Sequence, residues 1–331
     1  MPGFFISALV AYNKKMEQKI RIGISSCLLG EKVRYDGGHK LDHFLTDTLG
    51  KYVDWIPVCP EVESGLPVPR EAMRLAGDPS SPRLVTVKTG IDHTERILHW
   101  AEKKLRELER QDLCGFVFKS RSPSSGMRDV KVDGQSGTPS RSGVGVFAGA
   151  FMSRFPLMPV EDEGRLHDPD LRENFIERIF VFKRWKEFRG RGGKVRDLIA
   201  FHTDHKLLIL SHSTRHYSAL GQLVARAKAY KTEGLLSEYL KILMDGLRLT
   251  ATAKKNTNVL QHMAGYFSER LSTDEKRELG EIISQYHAGL IPLVVPIVLM
   301  RHYVRKFNEP YLKRQHYLNT HPLELMLRNH V

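Results

Sequence analysis

The sequence predicts an α/β domain with a Rossmann-like, mainly parallel sheet, followed by an all-α domain. Two patterns carry that expectation. Up to about residue 163, short apolar runs alternate with amphipathic helical stretches, the order that builds strand–helix–strand crossovers. From Asp168 onward the period becomes that of long helices, opened by Asp168-Pro-Asp, a capping residue followed by a first-position proline and an early acid. The expected units are a flexible extension over 1–17, the α/β domain over 18–163 and the helical domain over 168–331.

Ile20-Arg-Ile-Gly-Ile-Ser-Ser-Cys27 alternates like a first strand and delivers Cys27 to its carboxyl end. A glycine-rich loop over 28–39 and a helix over 41–52 lead to a second strand, 54–58, which ends at Cys59. Pro60, Gly65, Pro67 and Pro69 follow, a composition that predicts a stiff loop, not a helix, for Cys59 and Glu61. Two thiols thus leave successive strands one crossover apart, and in a parallel sheet both reach the edge where ligands bind. The blander account of this stretch is a small buried cysteine and an exposed loop carboxylate. Next come a strand at 84–87 and a charged helix over 94–110, with Ile97, Leu98, Ala101, Leu105 and Leu108 on its apolar face. Residues 113–119 read as a buried strand with Cys114 near its start, at the far edge, where it packs. That strand runs out into Ser120-Arg-Ser-Pro-Ser-Ser-Gly126, a polar turn on the edge of Cys27 and Cys59. A helix over 144–155 and a last strand near 158–161 complete the domain. In the second half, helices are expected over 168–188, 195–212, 217–230, 234–249, 256–271, 273–288 and 293–307, the first broken off by Arg189-Gly-Arg-Gly-Gly193.

At 331 residues, 41% hydrophobic and 27% charged, the chain is long enough for two cores and too apolar for disorder. Lysine and arginine number 51 against 38 acidic residues, a net charge of +13 that calls for a polyanionic partner. Three scattered cysteines exclude a disulfide framework and point to a reducing cytoplasm. The apolar opening lacks a basic start and is too short to span a bilayer. The run from Gly289 to Met300, broken by Pro292 and Pro296, reads as a core helix and not a membrane anchor. His39 and His43 match no familiar zinc spacing with the cysteines.

Ser25-Ser-Cys-Leu-Leu-Gly-Glu-Lys-Val-Arg-Tyr-Asp-Gly37, Val58-Cys-Pro-Glu-Val-Glu-Ser-Gly-Leu-Pro-Val-Pro-Arg70 and Lys119-Ser-Arg-Ser-Pro-Ser-Ser-Gly126 resemble the three motifs of the thiouracil desulfidase (TudS) family. Phe201-His-Thr-Asp-His-Lys-Leu, Leu210-Ser-His212 and the 290–296 stretch resemble the helical domain of YbgA-like proteins. Together these cover nearly all the chain after residue 18. The layout is similar to that of RudS-type desulfidases, which act on 4-thiouridine in tRNA. The resemblance implies a [4Fe–4S] cluster held by three cysteinyl thiolates, with the fourth iron left open for the substrate sulfur. Cys27 and Cys59 match two of those ligands. Ser125 stands where the family has its third cysteine, either as a substitution introduced to disable or stabilise the chain or as the mark of a natural relative with an exchanged site. A serine hydroxyl is harder and far less acidic than a thiol, so soft iron–sulfur chemistry is expected to be weakened. Glu61 is the expected proton-transfer group for the water and the ring. Ser122 is expected to hydrogen-bond the base or the water, with a plain turn serine as the equal alternative. Ser26, Arg34, Asp36 and Lys40 are the expected contacts to base or phosphate, although Asp36-Gly37-Gly38 is also an ordinary turn.

Lys183, Arg184, Lys186, Arg189, Arg191, Lys194 and Arg196 sit where a helix opens into a glycine-rich bend, with Phe182, Trp185 and Phe188 interleaved. Such a cluster neutralises phosphates while its aromatics accept a base; the alternative is a solvated basic helix with its aromatics in the core. His202, His205 and His212 are expected to hold a helix junction together. The expected function is a cytoplasmic tRNA 4-thiouridine desulfidase that releases sulfide, impaired by Ser125, with no membrane and no obligate protein partner. The alternatives are a desulfidase of free thiouracil-type bases and a catalytically inactive RNA-binding module.

Overall fold

The computed structural model describes residues 19–134, 139–320, 322, 325 and 327–329; the expected extension over 1–17 lies outside the described residues. The chain divides into two compact units, 1–165 and 166–331.

The first unit begins with β1 (Ile20–Ser25) and β2 (Val53–Val58). Between them the expected helix is present in other than α form, a π-helix over Phe44–Thr48 continued by a 3-10 helix over Leu49–Lys51. Asp42 accepts the Leu45 N–H at its start, while Thr46, Thr48 and Gly50 are poor α-helix formers. After β2 the chain forms a short helix, α1 (Pro60–Glu63), where proline-rich composition predicts a loop. Pro60 occupies the first helical position, where its missing N–H costs nothing. The chain continues with β3 (Met73–Ala76), β4 (Arg83–Thr86), α2 (Thr94–Arg110), β5 (Phe116–Phe118), β6 (Val130–Asp133), β7 (Pro139–Gly143), α3 (Val146–Arg154) and β8 (Val160–Asp162). Four strands pair in the order β2-β1-β5-β8, all parallel, with Ser25 opposite Val58 and Ile24 opposite Val117. A second sheet, β4-β3-β6-β7, mixes both senses and was not foreseen from the sequence.

The core of the main sheet is aromatic. Phe116 and Phe118 stack at 4.3 Å, and Phe147 and Phe151 of α3 meet them edge-on. Gly23 faces Phe116 so closely that a Cβ there would lie 2.2 Å from the ring, so only glycine lets β1 and β5 pair. On α2, Ile97, Ala101, Leu105 and Leu108 are buried as the periodicity predicts, whereas Leu98 is exposed at the edge of the stripe.

The second unit is helical: α4 (Pro169–Gly190), α5 (Val195–His212), α6 (Thr214–Ala225), α7 (Thr232–Leu247), α8 (Ala253–Gly265), α9 (Thr273–His287), α10 (Val294–Lys306) and the single turn α11 (Pro310–Lys313). Asp168 caps α4 by accepting the Leu171 N–H at 3.0 Å. Gly192 and Gly193, both at positive φ, turn the chain into α5. The three histidines of α5, His202, His205 and His212, lie inside. His202 meets the Tyr239 hydroxyl at 3.1 Å, and His205 donates through Nδ1 to Phe201 O at 2.7 Å. Burial, with Lys206 nearby, lowers the pKa of His202 to about 4; burial, with His316 and Arg184, depresses His205 as well.

His202 and His205 are therefore neutral in the fold, and the unfolded chain takes up protons first as pH falls below 6.5. Their stabilisation is present above pH 6.5 and lost as pH falls toward 4, on the order of 3 kcal/mol for His202. Glu173, raised by burial and by Glu177, opposes this in part. Urea denaturation followed by far-ultraviolet circular dichroism is expected to give a midpoint that drops between pH 6.5 and 4.5, with a flatter slope in His202→Gln; an unchanged slope would contradict the assignment.

Candidate active site

The carboxyl ends of β1, β2 and β5 carry three separated segments to one edge. Cys27 lies in the tight turn Ser26–Leu29 that follows β1, and Gly30, at φ 90°, closes that turn. Cys59 is the residue before α1, one position beyond the Ser25–Val58 pair. The 119–126 loop leaves β5 beside them, tied back by the Lys119 N–H donating to Ser25 Oγ at 2.9 Å. Cys27, Cys59, Ser26, Ser124 and Ser125 are all buried. Cys114 is fully buried at the opposite end of β5.

Glu61 is the hub of this edge. Its Oε1 accepts the Ser124 hydroxyl at 2.6 Å, and its Oε2 lies 3.4 Å from Cys59 Sγ and 3.8 Å from Arg70 Nη2. Ser124 is also 3.0 Å from Ser122 Oγ and 3.4 Å from Ser125 Oγ, while Ser122 Oγ accepts the Ser125 N–H at 3.1 Å. Ser122 therefore reaches Glu61 only through Ser124. Glu63 fixes the turn from below, accepting the Cys59 N–H at 2.8 Å and pairing with Lys104 at 2.8 Å. The loop itself is pinned by Lys119 and Ser120, both held by Glu163. Ser124 and Arg70 were missed by sequence reasoning; Ser124 reads there as one more turn serine, and its contact with Glu61 spans two strands.

Burial raises the Cys27 thiol to about 11, Lys119 pulling it down and Glu61 up. Burial and then Glu61 raise Cys59 to about 12. Both sulfurs are thus thiols at neutral pH, and any soft metal group they take must displace their protons.

The remaining predicted contacts are spread out. Arg34 lies 3.5 Å from Asp36, and Asp36 accepts the Gly38 N–H at 3.0 Å as an ordinary turn. The Lys40 side chain is exposed, while its N–H donates to Cys27 O at 2.8 Å. His39 and His43 are exposed, the latter against Asp47.

In the second unit the basic segment is not an aromatic platform. Phe182, Trp185 and Phe188 are buried, and Trp185 stacks on Tyr239 at 5.5 Å, because an interval of three on α4 turns all three toward the core. Arg184 donates to Thr320 O at 2.6 Å, and Arg189 forms a two-pronged pair with Glu233. Lys183 and Lys186 are half-buried; Arg191, Lys194 and Arg196 are exposed. His212 bridges Leu249 O at 2.6 Å and Glu177 at 3.0 Å. His202 joins α5 to α7 and His212 joins α5 to α4, the junction role expected of them, whereas His205 hydrogen-bonds only within α5, to Phe201 O. A cavity of about 280 Å³ opens beside this junction, lined by Glu173, Glu177, His212, Asn256, Tyr286 and Arg328.

An open parallel sheet with two buried thiols and a carboxylate at its carboxyl edge, where such sheets take their ligands, defines an α/β domain, here joined to a helical one. Residues 22–163 match the family model described as 2-thiouracil desulfurase, and residues 206–322 match one described as a protein of unknown function (DUF1722). Uncharacterized protein YbgA of Escherichia coli (strain K12) is 28% identical over 158 residues, 47% of this chain and 94% of that protein. Uncharacterized protein YbbK of Bacillus subtilis (strain 168) is 30% identical over 111 residues, 31% of this chain and 71% of that protein. The solved structure of a [4Fe-4S]-dependent thiouracil desulfidase, TudS, is 32% identical, covering 45% of this chain and 95% of its own, with a TM-score of 0.38. The chain belongs to the 2-thiouracil desulfurase family through its first unit and carries a DUF1722 helical region in its second. Among the described residues no helix is long and apolar enough to cross a membrane.

Proposed function

We propose that the first unit replaces the carbon–sulfur double bond of a thiolated uracil-type base by carbon–oxygen, and that the whole chain acts in the cytoplasm on 4-thiouridine in tRNA. The observation that carries this is Glu61, hydrogen-bonded to Cys59 and through Ser124 to Ser122 and Ser125, at the sheet edge of a 2-thiouracil desulfurase family member. The exposed Arg191, Lys194 and Arg196 support a polyanionic substrate, with base stacking supplied from elsewhere.

The reaction is a hydrolysis. Water adds to the thiocarbonyl carbon, the carbon–sulfur bond breaks, and sulfur leaves as hydrosulfide, with no change of oxidation state. Glu61 takes the proton from the attacking water and returns it to the ring or the departing sulfur. Ser124 and Arg70 hold the carboxylate for that transfer, and the buried setting limits competing solvent.

A [4Fe–4S] cluster, on which the similar TudS protein depends, supplies a soft acceptor for sulfur when bound. This chain's donors do not fit a three-thiolate cluster: Cys27 and Cys59 offer two thiols, Ser125 only a hydroxyl. Among the described residues, no three histidine, cysteine or acidic side chains converge in a metal-ligating group. The proton steps above therefore rest on Glu61 and water alone, and the Ser125 form is the impaired one. The same serine favours a second reading, an RNA-binding module that has lost catalysis.

Ser125→Cys separates the two. After anaerobic reconstitution with iron and sulfide, the cysteine form is expected to retain about four irons per chain and the Ser125 form far less. Only the cysteine form is expected to release sulfide, faster from thiolated tRNA than from 2-thiouracil. Iron retention with faster turnover of the free base would move the substrate to thiouracil-type bases. No turnover in either form, with tRNA binding intact, would leave the inactive module.

A further inference from the structure

Burial of Phe182, Trp185 and Phe188 removes those three rings as a surface for RNA bases; Tyr230 and Tyr266 stay exposed in the second unit, and neither belongs to the sheet edge of Cys27, Cys59 and Glu61. Tyr35 is the large aromatic of the first unit that remains exposed among the described residues, at 44%. It lies on the loop that leaves Cys27 and returns to it, since the Lys40 N–H donates to Cys27 O at 2.8 Å.

That loop is ordered by its own bonds. The Arg34 N–H donates to Gly38 O at 3.3 Å, the Gly37 N–H to Arg34 O at 3.0 Å, and Gly37 takes the positive φ of 75° that the turn requires. Arg70 fastens it to the site. Its own N–H donates to Tyr35 O at 2.8 Å, its Nη1 donates to Val33 O at 3.1 Å, and its Nη2 lies 3.8 Å from Glu61 Oε2. One buried guanidinium thus joins the backbone beneath Tyr35 to the carboxylate that handles the proton. Arg34 places its guanidinium 5.5 Å from the centre of the Tyr35 ring, a cation beside an aromatic face that is also paired with the Asp36 carboxylate at 3.5 Å.

An exposed, pre-oriented ring with a neighbouring cation is the arrangement that stacks a nucleobase while its phosphate is neutralised. We propose that Tyr35 is the stacking platform for a pyrimidine base of single-stranded or extruded RNA entering the site, and that Arg70 is the positioning residue that sets the ring relative to Glu61. This rests on the proposed action on thiolated RNA and adds the residue that holds a base of the nucleic acid at the site.

Binding tests it without turnover, so the Ser125 chain serves as it is. A fluorescein-labelled RNA carrying 4-thiouridine in a single-stranded segment is titrated by anisotropy at several salt concentrations. Tyr35→Ala is expected to weaken binding by about tenfold or more, Tyr35→Phe by less than about twofold, both with an unchanged salt slope, because a lost stack removes no phosphate contact. Arg70→Lys is expected to weaken binding while speeding amide exchange over 33–37. Equal affinity for Tyr35→Ala and the unsubstituted chain overturns the inference and leaves the desulfidase reading intact. A reduced salt slope in Tyr35→Ala overturns it in favour of an indirect effect through Arg34. No binding by the unsubstituted chain overturns both the RNA substrate and the platform.

Discussion

With Arg328 replaced by alanine, the helical unit is expected to lose about 3–5 kcal/mol of stability, the cost of removing one partner from a buried ion pair. Arg328 is 7% exposed and stands between two carboxylates, with Nε 2.9 Å from Glu173 Oε1 and Nη2 2.8 Å from Glu177 Oε1. Its Nη1 donates to Tyr317 O at 2.7 Å, and its guanidinium lies over the Tyr317 ring. Alanine withdraws the cation and leaves both acids in place at low polarity, which is why the loss is larger than the worth of the pair itself. Lysine is expected to recover only part, because an ammonium cannot make the forked contact to two carboxylates and a carbonyl at once. Pairing Arg328→Met with Glu173→Gln and Glu177→Gln is expected to restore much of the stability, since no buried charge then lacks its counterion. Urea denaturation of the four proteins checks this; a loss under about 1 kcal/mol for alanine would mean the network is solvated.

Gly145→Ala is expected to damage the first unit through a single methyl group. A Cβ on Gly145 would sit 2.6 Å from the carbonyl carbon and oxygen of Ser124 and 2.8 Å from the Gly126 nitrogen, all backbone atoms that cannot swing aside. The same glycine donates its N–H to Gly126 O at 2.7 Å, and Phe147 donates to Ser124 O at 2.8 Å, so α3 grips the serine loop directly. The expected cost is about 1–3 kcal/mol of stability. In the Ser125→Cys background, turnover is expected to fall more than about tenfold, because Ser124 is drawn away from Glu61 and a positioning error near ~1 Å costs that much or more. Gly149→Ala, whose Cβ meets only Val144 at 3.7 Å, is the control and is expected to be neutral or mildly stabilising. Equal behaviour of the two alanines in melting and turnover would refute the grip of α3 on the loop.

Long elements with a strong period were legible from sequence. The helix over 94–110 and that over 195–212 appear with the expected bounds, the first burying one continuous stripe and the second buried on all sides over its last six residues. Of the second sheet only the strand at 84–87 was legible; β3, β6 and β7 were not, since they sit among glycine, proline and polar residues that read as turns. Pro60 misled because proline breaks a helix interior yet suits its first position. The thiols and Glu61 were legible because their strands announce where they end. Ser124 and Arg70 were not, since what they touch is set by the pairing of strands remote in sequence. The aromatics of α4 were ambiguous in principle, as a spacing of three serves a core face and a stacking face alike.

The β1 strand keeps a vacant side for β5, which the ribosome delivers only after α2 has been made, and β8 closes the far flank later still. Until β5 inserts, Cys27 and Cys59 lie on a two-stranded fragment with no serine loop above them. The edge that carries both thiols is thus completed only by a strand synthesised after them. A nascent chain stalled before β5 would expose two accessible thiols, so the order of synthesis decides when this protein is most vulnerable to oxidants.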